Sequence, residues 1–265
     1  MIMPNKSVDP TGMHFLQLRG STTVMKLMQQ IGMQYMDEFP NIRLPLLGGG
    51  TAMGYKAAFD GTANIGMASG QIPPNIQLWA HKNKLEIEEV TIATDGLVAI
   101  VNPANPINDL TLEQLHDVFT GAINNWSSLG KYSGPINVVS HDPKLGTYEP
   151  WKRQVAGKEH ISLRAKVVSD LNSLMNAITS DPVAIGYVGT TFLNKEKVKP
   201  LAINGVLPTY LNIKQLRYPI RNNLQLLIKP TATKEEKDFI AYCLDPNKGQ
   251  AIIKGAGLIP VVGEQ

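Results

Sequence analysis

His14-Phe15-Leu16-Gln17-Leu18-Arg19-Gly20-Ser21-Thr22-Thr23 decides how the rest of the chain is read. An apolar stretch of strand length runs into a glycine, and three hydroxyl residues follow. Val24, Leu27, Met28, Ile31, Tyr35 and Phe39 then recur at spacings of three or four, which predicts a helix over 24–38. Ser21, Thr22 or Thr23 serves as its N-cap. The same order is written again at once. A strand over 42–47 leads into Gly48-Gly49-Gly50-Thr51-Ala52-Met53-Gly54, then a helix from about 55 to 60 and a strand over 64–68. Strand, Gly/Ser/Thr loop and helix repeated in this way predict an α/β fold with a mainly parallel sheet. Ligands of such sheets sit at the carboxyl ends of the strands, where loops enter helices.

Beyond this core the pattern continues. Residues 88–101 form a long extended apolar run, stopped by Asn102-Pro103-Ala104-Asn105-Pro106. An amphipathic helix over 111–119 is capped by Thr111 or Asp109. A strand over 136–140, a polar loop over 141–147 and a helix over 148–155 come next. A helix over 171–178 and strands over 184–188 and 223–229 lead to closing helices over 233–244 and 248–254.

Composition removes several classes. The chain has 265 residues, 43% of them apolar, 18% charged and 15% glycine or proline, which is neither disordered nor low in complexity. No apolar run reaches the length of a membrane-spanning helix. The formal charge is +3, and its Lys and Arg residues are scattered, so nucleic acid is not an expected partner. The single Cys243 permits neither an intramolecular disulfide nor a cysteine metal cluster, and its apolar setting reads as core. The five histidines, His14, His81, His116, His141 and His160, show no metal-ligand spacing. Gly48-Gly49-Gly50-Thr51 lacks the Gly-Lys-Ser/Thr ending of a P-loop, and Ser69 does not stand in Gly-x-Ser-x-Gly. No cofactor and no metal are expected.

Three loops remain: Gly20-Ser21-Thr22-Thr23, Gly48-Gly49-Gly50-Thr51 and Gly146-Thr147. Each combines glycine with hydroxyls at a predicted helix start. Unpaired amides and a partial positive charge stabilise an anion there, and glycine lets the backbone come close. Each loop taken singly is explained by capping and turn formation. All three together suit a compact oxyanion.

At this point the chain resembles the phosphate-binding proteins of ABC transporters, the PstS-like branch of the periplasmic binding protein superfamily, from about Phe15 to Val261. Gly20-Ser21-Thr22-Thr23-Val24 resembles the family's first phosphate loop, and Gly48 to Gly54 its second. Asp60-Gly61-Thr62-Ala63-Asn64-Ile65-Gly66-Met67-Ala68-Ser69 and the run Leu110 to Gly121 followed by Asn125-Trp126 are family-like in order and spacing, as are Ala184 to Val188 and Tyr218-Pro219-Ile220. The resemblance implies a two-lobe α/β fold, each lobe a mostly parallel sheet flanked by helices, joined by a hinge and closing on an anion held in the cleft. Lobe one would span 12–96 plus 222–265 and lobe two 97–221, with a poorly ordered extension over 1–11. It implies a non-catalytic monomer that captures phosphate or a related oxyanion for an ABC permease. It also implies a periplasmic or extracellular location with the export signal removed, a cytosolic one staying open. The ligand-binding residues carried over are Ser21, Thr22, Thr23, Thr51, Ser69, Gly70, His141, Gly146 and Thr147.

Three positions depart from the family pattern. His141 stands where an Arg is expected, Leu145 where a Ser is expected, and Gly70 where an Asp commonly accepts the proton of hydrogen phosphate, although some relatives carry Arg there. A histidine donates a charged hydrogen bond only when protonated, at or below about pH 6.5 unless shifted. Weaker binding, another anion or a larger anionic ligand is therefore expected, with Arg19, Lys26, Lys144 or Lys152 as replacement charge. The ordinary reading of His141 is a solvated turn residue before Pro143. Trp126 reads as a core anchor of lobe two, and Trp151 as packing or cleft lining. Met25, Met28, Met33 and Met36 read as core or lobe contact. Two other functions compete. One is a degenerate family member that binds another anionic or organic ligand, or that acts as a sensor or partner-binding protein. The other is an enzyme on a phosphorylated small molecule, with its base at His141, Asp142 or Glu149.

Overall fold

In the computed structural model, which describes residues 12–130, 133–143 and 145–262, the stretch 14–20 forms two short strands, His14–Phe15 and Leu18–Gly20. The expected strand over 42–47 is interrupted in the same way, into Ile42–Arg43 and Leu46–Gly48. The break falls at Pro45, which has no N–H to give to a ladder, although its carbonyl still accepts from Leu18 N at 2.9 Å. The expected extension over 1–11 and the candidate cation Lys144 lie outside the described residues.

The chain divides into two compact units. One comprises the residues up to Ala93, Asn223–Ala256 and those from Pro260 on; the other comprises Thr94–Asn222 and Gly257–Ile259. In the first unit, Leu18–Gly20 lies between Leu46–Gly48 and Ile65–Ser69, parallel to both, and Leu224–Leu227 pairs antiparallel with Ile65–Ser69. Helix Thr22–Glu38 buries Val24, Leu27, Met28, Ile31 and Tyr35, the face its spacing predicts. Met33, however, is 65% exposed, so the four methionines do not share one buried face. Helix Thr51–Asp60 begins four residues before its expected start, because the glycine turn already winds into it. A helix over Pro74–Lys82, opened by Pro73-Pro74, falls where no element was expected.

Glycine sets how that helix meets the sheet. A Cβ on Gly20 would lie 2.1 Å from Met67 O, and one on Gly54 2.0 Å from the same oxygen. Gly20 also has φ +139°, which a side chain disfavours. The absent side chains let helix Thr51–Asp60 rest directly on strands Leu18–Gly20 and Ile65–Ser69.

In the second unit, Leu97–Val101 of strand Glu88–Val101 pairs antiparallel with Ala184–Gly189, which runs parallel to Asn137–His141, itself parallel to Lys166–Val168. Both faces of this sheet are covered. Leu97, Ala99 and Val101 join a cluster with Phe119, Trp126, Trp151 and Tyr187, while Val98 and Ile100 join Val139, Leu174 and Ile178 on the other face. Trp126 is the expected anchor: it is fully buried, and its Nε1 donates to Val183 O at 2.9 Å. Helix Leu112–Thr120 begins in a full capping box formed by Thr111 and Gln114. The expected helix over 148–155 is one turn, Tyr148–Trp151, followed by a π-helical turn, Lys152–Ala156. Cys243 is buried, and burial pushes its thiol pKa up, as suits a core residue.

Candidate functional site

Two helices of the first unit begin at the carboxyl ends of adjacent strands. Ser21 follows strand Leu18–Gly20 and caps helix Thr22–Glu38, its Oγ accepting from Val24 N at 3.4 Å. Met25 N donates to Ser21 O, so the amides of Thr22 and Thr23 precede the first intrahelical bond. Helix Thr51–Asp60 is capped by Gly50 without a side-chain bond, and Gly54 N is the first to find a carbonyl, that of Gly50. The amides of Thr51, Ala52 and Met53 thus have no acceptor in their helix. The two starts are tied together: Gly50 N donates to Gly20 O at 3.0 Å and Ser21 N to Met67 O at 2.8 Å.

Three hydroxyls meet beneath these starts. Ser21 Oγ donates to Ser69 Oγ at 3.0 Å, Ser69 Oγ lies 3.1 Å from Thr51 Oγ1, and Ser69 N donates to Thr51 Oγ1 at 3.0 Å. Ser21 and Ser69 are buried, whereas Thr22, Thr23 and Thr51 are half-buried. Gly70 is buried with φ +99°, and both its backbone groups are engaged: its N–H by Asn223 O and its carbonyl by Tyr55 Oη. Sequence reasoning missed Tyr55, whose signal is only its place one residue after Gly54. The structure therefore brings together Ser21, Thr51 and Ser69 through direct bonds, with Thr22 and Thr23 opening the adjacent helix.

His141, Gly146 and Thr147 belong to the second unit. Contrary to the solvated-turn reading, His141 ends strand Asn137–His141 and is 4% exposed. Its Nε2 lies 3.2 Å from Tyr187 O, and its ring meets the Tyr187 ring edge-on with centroids 5.0 Å apart. Burial pushes its pKa below the ordinary histidine value, against smaller opposing effects of Tyr187 O and Asp170. The expected charged donor is thus a neutral ring near pH 7, because desolvation disfavours the cation. Gly146 and Thr147 are half-buried, Thr147 preceding the Tyr148–Trp151 turn with no side-chain cap bond. Trp151 resolves as packing: it is fully buried and stacks on Tyr187 at 4.3 Å, with its planes 1° apart.

A family model described as a PBP superfamily domain matches residues 6–247. The chain belongs to the PBP superfamily. The PBP-superfamily chain is similar to "Phosphate-binding protein PstS" of Bacillus subtilis (strain 168), 27% identical over 252 residues, which cover 93% of this chain and 80% of that protein. The protein of the same name from Staphylococcus aureus (strain MRSA252) is 26% identical over 249 residues, 89% of this chain and 75% of that one. Among solved structures, an ABC-type phosphate transport receptor from Vibrio cholerae has a TM-score of 0.83 at 25% identity, over 93% of this chain and 99% of that chain. A crystal structure with bound phosphate from Clostridium perfringens has a TM-score of 0.80 at 28% identity, over 94% and 100%. The fold of this PBP-superfamily chain is the two-lobe α/β class of those neighbours.

Its cations are less convergent than its hydroxyls. Lys26 is exposed on helix Thr22–Glu38, and Lys152 is half-buried in the π-helical turn. Arg19 is half-buried in its strand, with a buried Nε that meets no acceptor. A cavity of about 710 Å³ in the second unit, lined by Asn124, Asn137, Arg164 and Asp181, opens at the amino ends of the strands. That is the end opposite to where parallel sheets bind ligands. Among the described residues no group of three or more His, Cys, Asp or Glu side chains could hold a metal, and no helix is long and apolar enough to cross a membrane.

Proposed function

We propose that this chain is a non-catalytic solute-binding protein that captures phosphate, or an oxyanion of the same shape, for uptake through an ABC permease. The observation that carries the reading is the hydroxyl cluster in which Ser69 Oγ lies 3.0 Å from Ser21 Oγ and 3.1 Å from Thr51 Oγ1, under two helix starts whose first amides have no acceptor in their helices. Such a place stabilises a compact anion by hydrogen bonds and helix-end charge without a fixed cation. The curated relatives named phosphate-binding proteins point to the same ligand. Thr22, Thr23 and Thr51 are the proposed direct contacts, with Ser21, Ser69 and Gly70 supporting them. His141, Gly146 and Thr147 are proposed as the second unit's contributors. Function outside the cytoplasm and as a monomer follows from the same proposal.

The test is calorimetric titration and thermal shift on protein refolded from denaturant, with phosphate, arsenate, sulfate, molybdate and small organophosphates. Ligand at 100 times its dissociation constant adds about 2.7 kcal/mol to stability. A saturable phosphate response is expected, and it disappears on dialysis. No response to any oxyanion overturns the reading and favours a family member that binds an organic ligand or a protein.

A further inference from the structure

Helix Thr51–Asp60 holds the end of strand Ile65–Ser69 at two consecutive residues. Thr51 and Tyr55 stand one turn apart and so share a helix face. Thr51 Oγ1 accepts from Ser69 N at 3.0 Å, and Tyr55 Oη donates to Gly70 O at 3.2 Å. The first contact belongs to the hydroxyl cluster. The second lies one residue beyond it, at a glycine with φ +99° whose N–H donates to Asn223 O at 2.9 Å. The Tyr55 ring is fully buried against Ala58, Phe59, Ala68 and Leu227, so packing holds the ring whether or not its hydroxyl is bonded. Other residues set the direction of the hydroxyl. Gln225, on strand Arg221–Ile228 opposite Ala68, donates from Nε2 to Glu89 Oε2 at 2.9 Å. An ionised carboxylate only accepts, so the amide nitrogen turns to Glu89 and leaves Oε1 3.5 Å from Tyr55 Oη. The phenol thus meets two carbonyl oxygens and gives its one proton to the nearer, that of Gly70. Every residue named belongs to the first unit.

Two bonds one turn apart fix a helix against a strand end, whereas a single bond leaves it free to pivot. A buried carbonyl is also costly to leave unpaired, and glycine resists turning its peptide less than any other residue. We propose that Tyr55 is a positioning residue of the oxyanion site: its hydroxyl, aimed by Gln225 and Glu89, pins Gly70 to helix Thr51–Asp60 and so holds Thr51 and Ser69 in bonding register. This rests on the oxyanion-binding function proposed above. Tyr55 itself makes no contact with the ligand in this scheme. It acts through Gly70, which sits directly after the serine that bonds both Ser21 and Thr51.

Three measurements on the full chain test this. Calorimetry compares phosphate binding by the wild type, Tyr55→Phe and Phe59→Leu. Tyr55→Phe keeps the ring and removes only the hydroxyl, so phosphate affinity is expected to fall about tenfold, the scale of one hydrogen bond. Phe59→Leu is the packing control, because Phe59 shares the helix and the apolar cluster but has no polar atom. It is expected to lower the melting temperature and to leave phosphate affinity within about twofold. Unchanged affinity in Tyr55→Phe, or an equal loss in Phe59→Leu, overturns the inference alone. In the second measurement, the carbon-13 resonance of the Gly70 carbonyl is expected to shift in phosphate-free Tyr55→Phe, and an unmoved resonance overturns the inference. The third needs no variant: the Tyr55 hydroxyl proton of the wild type is expected to exchange slowly with solvent in proton NMR, and rapid exchange overturns the inference. Absence of phosphate binding to the wild type overturns the proposed function, and this inference with it.

Discussion

Thr51 meets the hydroxyl cluster through Ser69 twice, since its Oγ1 accepts from Ser69 N and lies 3.1 Å from Ser69 Oγ. Thr51→Val keeps its shape and removes the hydroxyl. Phosphate affinity should fall about tenfold, with a stability loss of about 1–2 kcal/mol by urea unfolding, while Thr51→Ser should keep both. Asp95 makes a separate prediction at the same scale. It is buried next to Gly189 and accepts from Thr190 N at 3.0 Å and Thr190 Oγ1 at 2.6 Å. Burial outweighs those bonds and pushes its pKa to about 6. An acid whose folded pKa is raised stabilises the fold when protonated. That contribution is present below its unfolded pKa near 3.8 and is lost as pH rises through about 6. Asp95→Asn should therefore remove a pH-dependent difference of roughly 3 kcal/mol between about pH 4 and pH 7, read as the wild-type minus variant unfolding free energy.

Among the elements, helix Thr51–Asp60 places the second set of amides, and its position depends on the bare backbone of Gly54 against Met67 O. Gly54→Ala raises helix propensity yet inserts a methyl group where the oxygen sits 2.0 Å away. The clash should win: about 1–3 kcal/mol of stability lost, and phosphate affinity reduced because the helix start is displaced. Gly255→Ala is the control. It lies at the end of helix Gly249–Gly255 with nothing near its Cβ, and should be neutral or stabilising by under about 1 kcal/mol. Thermal unfolding of both variants separates the two effects.

For the whole molecule, ligand and fold are linked by mass action, so the melting temperature should keep rising with phosphate concentration after the site is nearly full. A tenfold increase in excess ligand adds about 1.4 kcal/mol, whichever unit unfolds first. Much of this protein was legible in order along the chain. The repeated strand, loop and helix, the cap candidates that included Ser21 and Thr111, and the anchor Trp126 all follow from local spacing and side-chain chemistry. The interruption at Pro45, the helix over Pro74–Lys82 and the π-helical turn were harder to read, since short elements leave too few residues to show a period. The sequence by itself determined the α/β class and the hydroxyl-rich helix starts, because both are written in residues close together. Only the tertiary structure decided that Ser21 and Ser69 lie beneath the helix starts while Thr22, Thr23 and Thr51 stay half-buried. It also decided that His141 is buried against Tyr187 rather than a solvated turn residue. The physical reason is that this burial is set by Tyr187, 46 residues further along the chain, whose ring and carbonyl come to His141 only through the pairing of strands.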